Sequence, residues 1–485
     1  MMKKTTIVGT GIGGLTTALY LSAQGDRTIT LLEKNSYPGG RMTFETHEDS
    51  RIDQGPTIVL LPALLLKLME EAGIAKERIP LIPMEPMYRV HFPDGTVFRK
   101  FQDQDKQLEE FSSVFPEEQE GFLSFIKDMG PHFETGKERI LGQTFVDKKK
   151  FFQFDIFKLL WGMKAYKSMR SFMSRYFLSE KLLDIYSLQS LYIGGNPSKA
   201  PSIYSFISLS EHLEGIWYVK GGYAHLIDII TEELEHRGVK IRTETEVEHI
   251  LIEDGTVSGV RTREEEFQSD EVIFNGDFPL MDSLLPERLR LNKTYTPSSG
   301  CLLFYIGTDK IYTDQPVHQF FMTENFKTHM QDVFETRQIP DSPSIYVFHP
   351  SVVDDSLAPE GKGVLYVLVP VPADTTITYD EDSALVRYVM DLLEEKSFPD
   401  LRQHIEWWKI RTPKDAELSG LYQGGSFGIG PTLNQSGVFR PQFRPYPVEN
   451  LYAVGASIHP GGGVPIVMQG AKLLADELLK DVTYN

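Results

Sequence analysis

Three glycines and one acidic residue near the start of the chain have the spacing of a nucleotide-binding turn. Gly9, Gly11 and Gly14 lie between a strand-like and a helical run, and Glu33 follows about 20 residues later, as in dinucleotide-binding folds. The first glycine permits a tight turn, the second admits a pyrophosphate, and the third lets helix and strand touch. Helix N–H groups there favour negative charge. Because a carboxylate suits a ribose hydroxyl and repels a 2'-phosphate, the pattern predicts NAD or FAD and disfavours NADP.

A second glycine turn distinguishes between those two cofactors. Gly39-Gly40-Arg41 follows Glu33-Lys34 closely, and Asp53-Gln54-Gly55-Pro56-Thr57 comes next. Additional backbone donors and a guanidinium suit a diphosphate that the first turn already holds. These motifs resemble the signature of the flavin-containing amine oxidase and phytoene desaturase superfamily. The resemblance implies FAD as the cofactor.

The run from Asn450 to Pro465 carries a further motif, with three consecutive glycines at 461–463. It resembles the closing motif of the bacterial carotenoid (phytoene) desaturase family, and Leu188–Gly194 and Phe304–Asp309 are most similar to the 4,4'-diapophytoene (dehydrosqualene) desaturases. The residues predict a strand ending at Gly455, a glycine loop, and a helix to about Leu479 with Pro465 in its first turn. The start of that helix would face the flavin ring, where its dipole favours the charge of a reduced flavin.

The resemblance implies an FAD-dependent desaturase of linear C30 carotenoid precursors, which converts 4,4'-diapophytoene stepwise to diaponeurosporene or diapolycopene. A hydride passes from an allylic carbon to flavin N5, and the neighbouring carbon loses a proton. The first alternative is a terminal-methyl carotenoid oxidase of the same family. That group tends to carry Thr-Pro after the triple glycine, where this chain has Val464-Pro465. A C40 phytoene desaturase, a flavin-bearing carotenoid binder and, more remotely, a flavin amine oxidase are the others.

The motif residues form the expected cofactor site. They are Gly9, Gly11, Gly14, Glu33, Lys34, Gly40, Arg41, Pro56, Thr57, Val247, Gly455, Ala456, Gly463 and Val464, and the family resemblance places the backbone of Val247 at the adenine. No catalytic residue is assigned. His459 lies near the expected flavin but equally suits a loop-stabilising role, and Glu417 is only a charge in a late segment. Cys301 is the only cysteine, which excludes an internal disulfide and a cysteine-based metal cluster, so no metal is expected.

These residues must be positioned by an α/β fold that the chain enters more than once. Strand and helix patterns near the start return in a helix over 224–236, a strand pair over 247–253 and 257–262, and a run over 270–277. We therefore expect a discontinuous Rossmann-type FAD-binding domain formed by 1–75, 222–290 and 441–485. We expect two further parts. One is a mixed α+β substrate domain over 76–115 and 291–440, and the other is a helical, membrane-associating part over 116–221.

Charge indicates the partners. A formal net charge of −19 argues against nucleic acid and for a cytoplasmic protein, and no uninterrupted apolar run reaches the length of a membrane span. Residues 148–175 differ from the rest, since lysines, arginines and aromatic residues alternate there and Asp155 is the only acid. This pattern suits an anionic membrane surface, although a solvated basic helix face over ordinary core residues would also produce it. Besides the cell membrane, the expected partners are a long apolar polyene and oxygen or a quinone as electron acceptor.

Overall fold

The computed structural model describes residues 2–480 and contains a parallel sheet that unites distant parts of the chain. Its five strands are, in order, Leu451–Ala453, Glu271–Phe274, Lys3–Val8, Arg27–Leu32 and Lys240–Arg242. Each neighbouring pair is parallel. The strands predicted within 240–243 and 270–277 are thus confirmed, and they flank the strands of the N-terminal turn.

Helices cover this parallel sheet. Helix Ile12–Ser22 follows strand Lys3–Val8 along the chain. Helices His225–His236 and Val464–Lys480 pack against helix Ile12–Ser22. Their apolar side chains share one core with the strands, where Leu15, Leu226 and Leu474 are fully buried. Strand Glu271–Phe274 is buried at every position, as is usual for a parallel strand that is covered on both faces, and its one charged residue, Glu271, forms a buried ion pair with Arg27. The helix predicted to reach about Leu479 is confirmed, with Pro465 in its first turn.

Three smaller sheets accompany the parallel one. Antiparallel strands Val247–Glu253, Thr256–Thr262 and Glu266–Gln268 form the first. Its tight turn has positive φ at Asp254 (47°) and Gly255 (84°), as a two-residue hairpin requires. The other two are pairs, Phe44–His47 with Ser50–Asp53 and Leu81–Pro83 with Trp217–Val219.

A seven-stranded mixed sheet forms the second large layer. Its order is Ile405–Arg411, Gly300–Thr308, Gly363–Val371, Ile345–Phe348, His318–Phe321, Tyr88–His91 and Val97–Lys100. All neighbours are antiparallel except His318–Phe321 and Tyr88–His91. The hairpin predicted around residues 88–99 is therefore confirmed, and it joins the later strands.

Alternation along these strands gives the sheet two different faces, since successive side chains of a strand point to opposite sides. Leu302, Phe304 and Ile306 pack in a core that includes helix Ala384–Lys396. Cys301 and Leu303 belong to a second core with many aromatic residues. The second face also borders the large cavity described below.

Helices dominate the chain between the hairpin and the return to the parallel sheet. They are Gln104–Val114, Gln119–Gly136, Phe154–Gly162, Met169–Met173, Glu180–Ile185 and Ser205–Glu214. The α-helices elsewhere that have not yet been mentioned are Pro62–Glu71, Met281–Leu284, Phe326–Gln331, Leu401–His404 and Pro413–Leu418. Within residues 2–480, every helix is too short or too polar to cross a bilayer.

The basic, aromatic stretch 148–175 divides into two parts. Phe152, Phe154, Phe157, Trp161 and Tyr166 are exposed by 60–80%. Its later apolar residues, among them Met169, Phe172 and Met173, are instead buried in the aromatic core. The predicted amphipathic pattern therefore holds for the first part only, and the second part supplies core contacts.

Candidate active site

One cavity of about 1060 Å³ extends between the parallel sheet and the mixed sheet. Residues from both ends of the chain line it, and they include every expected cofactor residue except Gly14. These are Gly9, Gly11, Glu33, Lys34, Gly40, Arg41, Pro56, Thr57, Val247, Gly455, Ala456, Gly463 and Val464. The fold thus brings together motifs that are far apart in the sequence.

Gly14 lies behind the turn, where it lets the helix approach the strand. A Cβ atom on Gly14 would come within 2.5 Å of the Gly9 carbonyl oxygen. The side-chain amide of Asn275 donates to the carbonyl oxygens of Gly9 (3.3 Å) and Gly11 (3.1 Å) and thereby holds the turn. Sequence reasoning did not assign Asn275 to the site, because a single amide after a strand has no distinctive pattern.

Glu33 ends the second strand of the parallel sheet and is buried beside the glycine turn. Its carboxylate accepts hydrogen bonds from the Thr10 backbone N–H (3.0 Å) and hydroxyl (2.7 Å). Those two bonds go to Oε2 of Glu33, whereas Oε1 accepts from the backbone N–H (3.0 Å) and side-chain amide (2.9 Å) of Asn35. All four of these donors come from the protein itself, and they hold the carboxylate at the edge of the cavity.

The guanidinium groups of Arg41, Arg411 and Arg440 border the cavity, and none of them forms an ion pair with a carboxylate of the described residues; Arg411 donates to the Gln54 side chain and the Ser419 hydroxyl. Arg41 donates to the Ser426 carbonyl oxygen at 3.0 Å. Arg440, which is buried, donates to the carbonyl oxygens of Gln435 (3.0 Å) and Ala456 (2.5 Å). Burial lowers the pKa of Arg41 and of Arg440. Asp277 is the carboxylate whose charge acts on both Arg41 and Arg440, so the cations outnumber the acids at this corner, and the site fits an anionic group such as the diphosphate of FAD.

The C-terminal corner combines positive φ angles with a helix start. Gly455, Gly461 and Gly463 have φ of 129°, 134° and 101°, conformations that L side chains rarely adopt. Helix Val464–Lys480 begins directly after them, so its free N–H groups lie at the cavity wall. Asp277 stabilises the loop by accepting from the Ser457 hydroxyl at 2.6 Å.

Asp53 of the second motif has a structural role. Its carboxylate accepts from the backbone N–H groups of Tyr223 (2.9 Å) and Ala224 (2.8 Å), just before helix His225–His236. Burial raises the pKa of Asp53 to about 7. These bonds anchor the segment 53–57, of which Pro56 and Thr57 border the cavity.

The part of the cavity away from the glycine turns is apolar. Its walls are formed by Leu188, Leu191, Ile193, Phe206, Ile207, Leu303, Phe320, Met322 and Phe326. Polar groups interrupt this region at a few places, and one of them is the Tyr192 hydroxyl, which donates to Glu211 at 3.0 Å. Glu211 also binds Lys100 at 2.5 Å in a fully buried ion pair. Sequence analysis did not find this pair, because its members are far apart in the chain.

His459 and Glu417 differ in their distance from the site. The His459 ring borders the cavity, its Nε2 lies 3.0 Å from the Gln143 carbonyl oxygen, and it contacts Phe145. Burial lowers the pKa of His459 to about 4. Glu417 is exposed on helix Pro413–Leu418 and does not border the cavity. Neither arrangement is that of a strong base beside an apolar substrate.

Comparison with known proteins shows full-length relatives. The family model described as flavin containing amine oxidoreductase matches residues 12–479. A 4,4'-diapolycopen-4-al dehydrogenase of Metabacillus indicus is 49% identical over 478 residues, which cover 99% of this chain and 97% of that protein. A 4,4'-diapophytoene desaturase (4,4'-diaponeurosporene-forming) of Staphylococcus aureus (strain Newman) is 32% identical over 502 residues, with 99% of both chains covered.

Solved structures share the fold at low identity. An oxidoreductase from Methanosarcina mazei has a TM-score of 0.68 and 18% identity, covering 98% of this chain and 100% of that one. Cyclohexylamine oxidase from Brevibacterium oxydans IH-35A has a TM-score of 0.64 and 15% identity, covering 99% and 100%. The expected FAD cofactor and oxidoreductase class are confirmed by the family. The chain belongs to the flavin containing amine oxidoreductase family, on its carotenoid desaturase branch, and is an FAD-dependent oxidoreductase.

Proposed function

We propose that this enzyme removes hydrogens stepwise from a linear C30 carotenoid precursor, converting 4,4'-diapophytoene to diaponeurosporene or diapolycopene. The observation that carries the proposal is the single cavity that runs from the glycine turns into an apolar region. When bound, FAD supplies the acceptor for the hydride that leaves the allylic carbon. A polyene offers only surface for binding, so apolar walls must position it.

Different protein residues along this cavity bind the cofactor and the polyene. The two glycine turns and Arg41 would hold the diphosphate of FAD, Glu33 would hold its ribose, and the N-terminus of helix Val464–Lys480 would stabilise negative charge on the flavin. Leu191, Phe320 and the other apolar side chains exclude water and keep the chain extended. The cofactor assignments of all fourteen motif residues named above are part of this proposal, with Gly14 acting through packing.

Oxidation at a chain end is the second candidate, and one observation favours it. The relative that is 49% identical is named a 4,4'-diapolycopen-4-al dehydrogenase, whereas the 4,4'-diapophytoene desaturases are 31–32% identical. Both reactions require the same flavin site and the same apolar cavity. They differ in the part of the polyene that lies beside the flavin.

Pigment analysis separates the two candidates. The chain is expressed in cells that make 4,4'-diapophytoene and, separately, in cells that make 4,4'-diapolycopene or its aldehyde. Stepwise red-shifted polyene bands in the first strain support desaturation. Oxygenated products in the second strain with unchanged 4,4'-diapophytoene in the first support oxidation at the chain end. If neither strain changes its pigments while the protein carries FAD, the proposed substrate class is wrong.

We also propose that the exposed part of residues 148–167 docks on an anionic membrane. Phe154 is 80% exposed and Trp161 is 65% exposed, and Trp161 also borders the cavity. Lys148, Lys149 and Lys150 are exposed and form no ion pair with the described residues. Moving a thirty-carbon chain through water would cost on the order of 20 kcal/mol at about 0.8 kcal/mol per CH2, so direct delivery from the bilayer is favoured.

The expected domain division is consistent with this arrangement. We propose an FAD-binding domain over 1–75, 222–290 and 441–485, a substrate domain over 76–115 and 291–440, and a helical membrane-facing part over 116–221. The mixed sheet, which takes strands from 88–100 and 300–411, supports the second of these. A cytoplasmic enzyme on the membrane surface could pass its electrons to oxygen or to a membrane quinone.

A further inference from the structure

Thr57, Tyr346 and His318 form a hydrogen-bonded row in the wall of the cavity. The Thr57 and Tyr346 hydroxyl oxygens are 2.8 Å apart, and the Tyr346 oxygen is 2.7 Å from His318 Nδ1. Thr57 and Tyr346 border the cavity, whereas His318 is buried behind them. Strands Ile345–Phe348 and His318–Phe321 are antiparallel neighbours, which fixes the two rings relative to each other.

The surroundings of His318 determine which ring nitrogen carries the proton. Burial lowers the pKa of His318 to about 3, so the ring is neutral near pH 7 and carries one proton. Its Nε2 is buried and has no hydrogen-bond partner among the described residues. A buried N–H without an acceptor is rarer and costlier than an acceptor without a donor. We therefore assign the proton to Nδ1, which donates it to the Tyr346 oxygen.

This assignment leaves the Tyr346 hydroxyl proton free for another acceptor. Burial holds the pKa of Tyr346 above its ordinary value, so the phenol stays protonated. The proton can reach the Thr57 hydroxyl, which can rotate and accept or donate in turn. It can equally reach an oxygen atom of a ligand in the cavity. A hydrocarbon chain has no atom that could use this donor.

We propose that Tyr346, oriented by His318, is the donor that binds the carbonyl oxygen of a polyene aldehyde. This inference rests on the proposed carotenoid substrate class and deepens its second candidate. The neighbouring wall is apolar, with Leu303, Phe320 and Leu368 lining the same cavity. In such surroundings a single hydrogen bond discriminates effectively, because water cannot replace it. The site would thus prefer an oxygenated chain end to an unmodified one.

Binding measurements on the full-length, FAD-loaded protein test this preference. A linear C30 polyene aldehyde and the hydrocarbon of equal conjugated length are titrated without oxygen, and quenching of protein fluorescence gives each Kd. We expect the aldehyde to bind about tenfold more tightly, the value of one buried hydrogen bond. Tyr346→Phe removes this preference and leaves hydrocarbon binding unchanged. Tyr379→Phe is the matched control, since it removes a buried hydroxyl that has no partner among the described residues and does not border the cavity.

Vibrational spectroscopy of the bound aldehyde provides a second readout, which can also be obtained from the wild-type protein alone. A hydrogen bond from Tyr346 lowers the C=O stretching frequency relative to the aldehyde in hexane, and Tyr346→Phe restores the hexane value. If Tyr346→Phe fails to fold or to retain FAD, the wild-type frequency decides. The inference is overturned if the C=O frequency of the bound aldehyde equals its value in hexane, or if aldehyde and hydrocarbon bind with equal affinity. Either result leaves the proposed substrate class intact. Failure to bind either pigment overturns both.

Discussion

Gly11 and Gly39 pair backbone to backbone, which places the first glycine turn directly against the second. The Gly39 N–H donates to the Thr10 carbonyl oxygen at 3.0 Å. A Cβ atom on Gly40 would lie 3.3 Å from the Gly11 Cα atom, so the approach depends on the absence of side chains. Because the turns touch, both can contact a single diphosphate.

Gly14→Ala should damage this corner although Gly14 does not border the cavity. The new Cβ atom would lie 2.5 Å from the Gly9 carbonyl oxygen, and forced overpacking of this kind costs about 1–3 kcal/mol. We expect a lower free energy of unfolding and loss of bound FAD, measured by urea titration and flavin absorption. Gly130→Ala is the control, because nothing lies within 4 Å of its Cβ position. Equal FAD content in the two variants would contradict the packing role.

Arg41→Met should affect the apo and FAD-loaded proteins in opposite directions. The guanidinium has no carboxylate bound to it among the described residues, and burial lowers its pKa, so an apolar side chain of similar length relieves the apo protein of a desolvated charge. Loss of a charge-assisted hydrogen bond weakens FAD binding by about 1.5–3 kcal/mol. Thermal unfolding with and without FAD measures both effects. The exposed Arg263→Met variant should behave as wild type, and an unchanged FAD-induced shift in Arg41→Met would refute the assignment.

Local patterns in the sequence predict the cofactor corner because they encode local geometry. Gly9, Gly11 and Gly463 are where backbone must turn or be approached closely, and the strands and helices around them follow from apolar periodicity. The outcome for residues 148–175 shows the limit of this reasoning. Exposed Phe154 and buried Phe172 belong to the same compositional pattern, and only tertiary packing separates them.

Contacts between distant strands could not be predicted in the same way. Tyr346 and His318 lie on neighbouring strands, and Thr57 reaches them from the N-terminal part of the chain. Asn275 likewise binds the glycine turn from a distant part of the chain. A single sequence does not specify which strands become neighbours, since the pairing depends on packing of the whole mixed sheet. The residues that distinguish among substrates within the family are therefore harder to find than those that bind its common cofactor.

Acid should destabilise the protein through its buried histidines. Burial lowers the pKa of His349 to about 4 from the ordinary value of 6.5, so its contribution is complete above pH 6.5 and is lost as the pH falls toward 4. Between pH 7 and pH 5 this amounts to about 2 kcal/mol at 1.36 kcal/mol per pKa unit. His349→Gln should reduce the wild-type difference by that amount in urea unfolding, whereas exposed His236→Gln should not. Asp53, with its raised pKa, acts in the opposite direction and is unchanged in both variants.

The double variant Phe154→Ser/Trp161→Ser should detach the enzyme from membranes without unfolding it. Both side chains are largely exposed, so we expect the free energy of unfolding to change by less than about 0.5 kcal/mol for each. Each aromatic side chain inserted into a bilayer contributes about 1.5–3 kcal/mol, so sedimentation with vesicles containing anionic lipid should fall more than tenfold. Leu418→Ser is the control, since Leu418 is 72% exposed on another helix. Binding by the wild type should also weaken at high salt, because the lysines at 148–150 act through screened charges. Undiminished sedimentation of the double variant would locate the membrane contact elsewhere on the molecule.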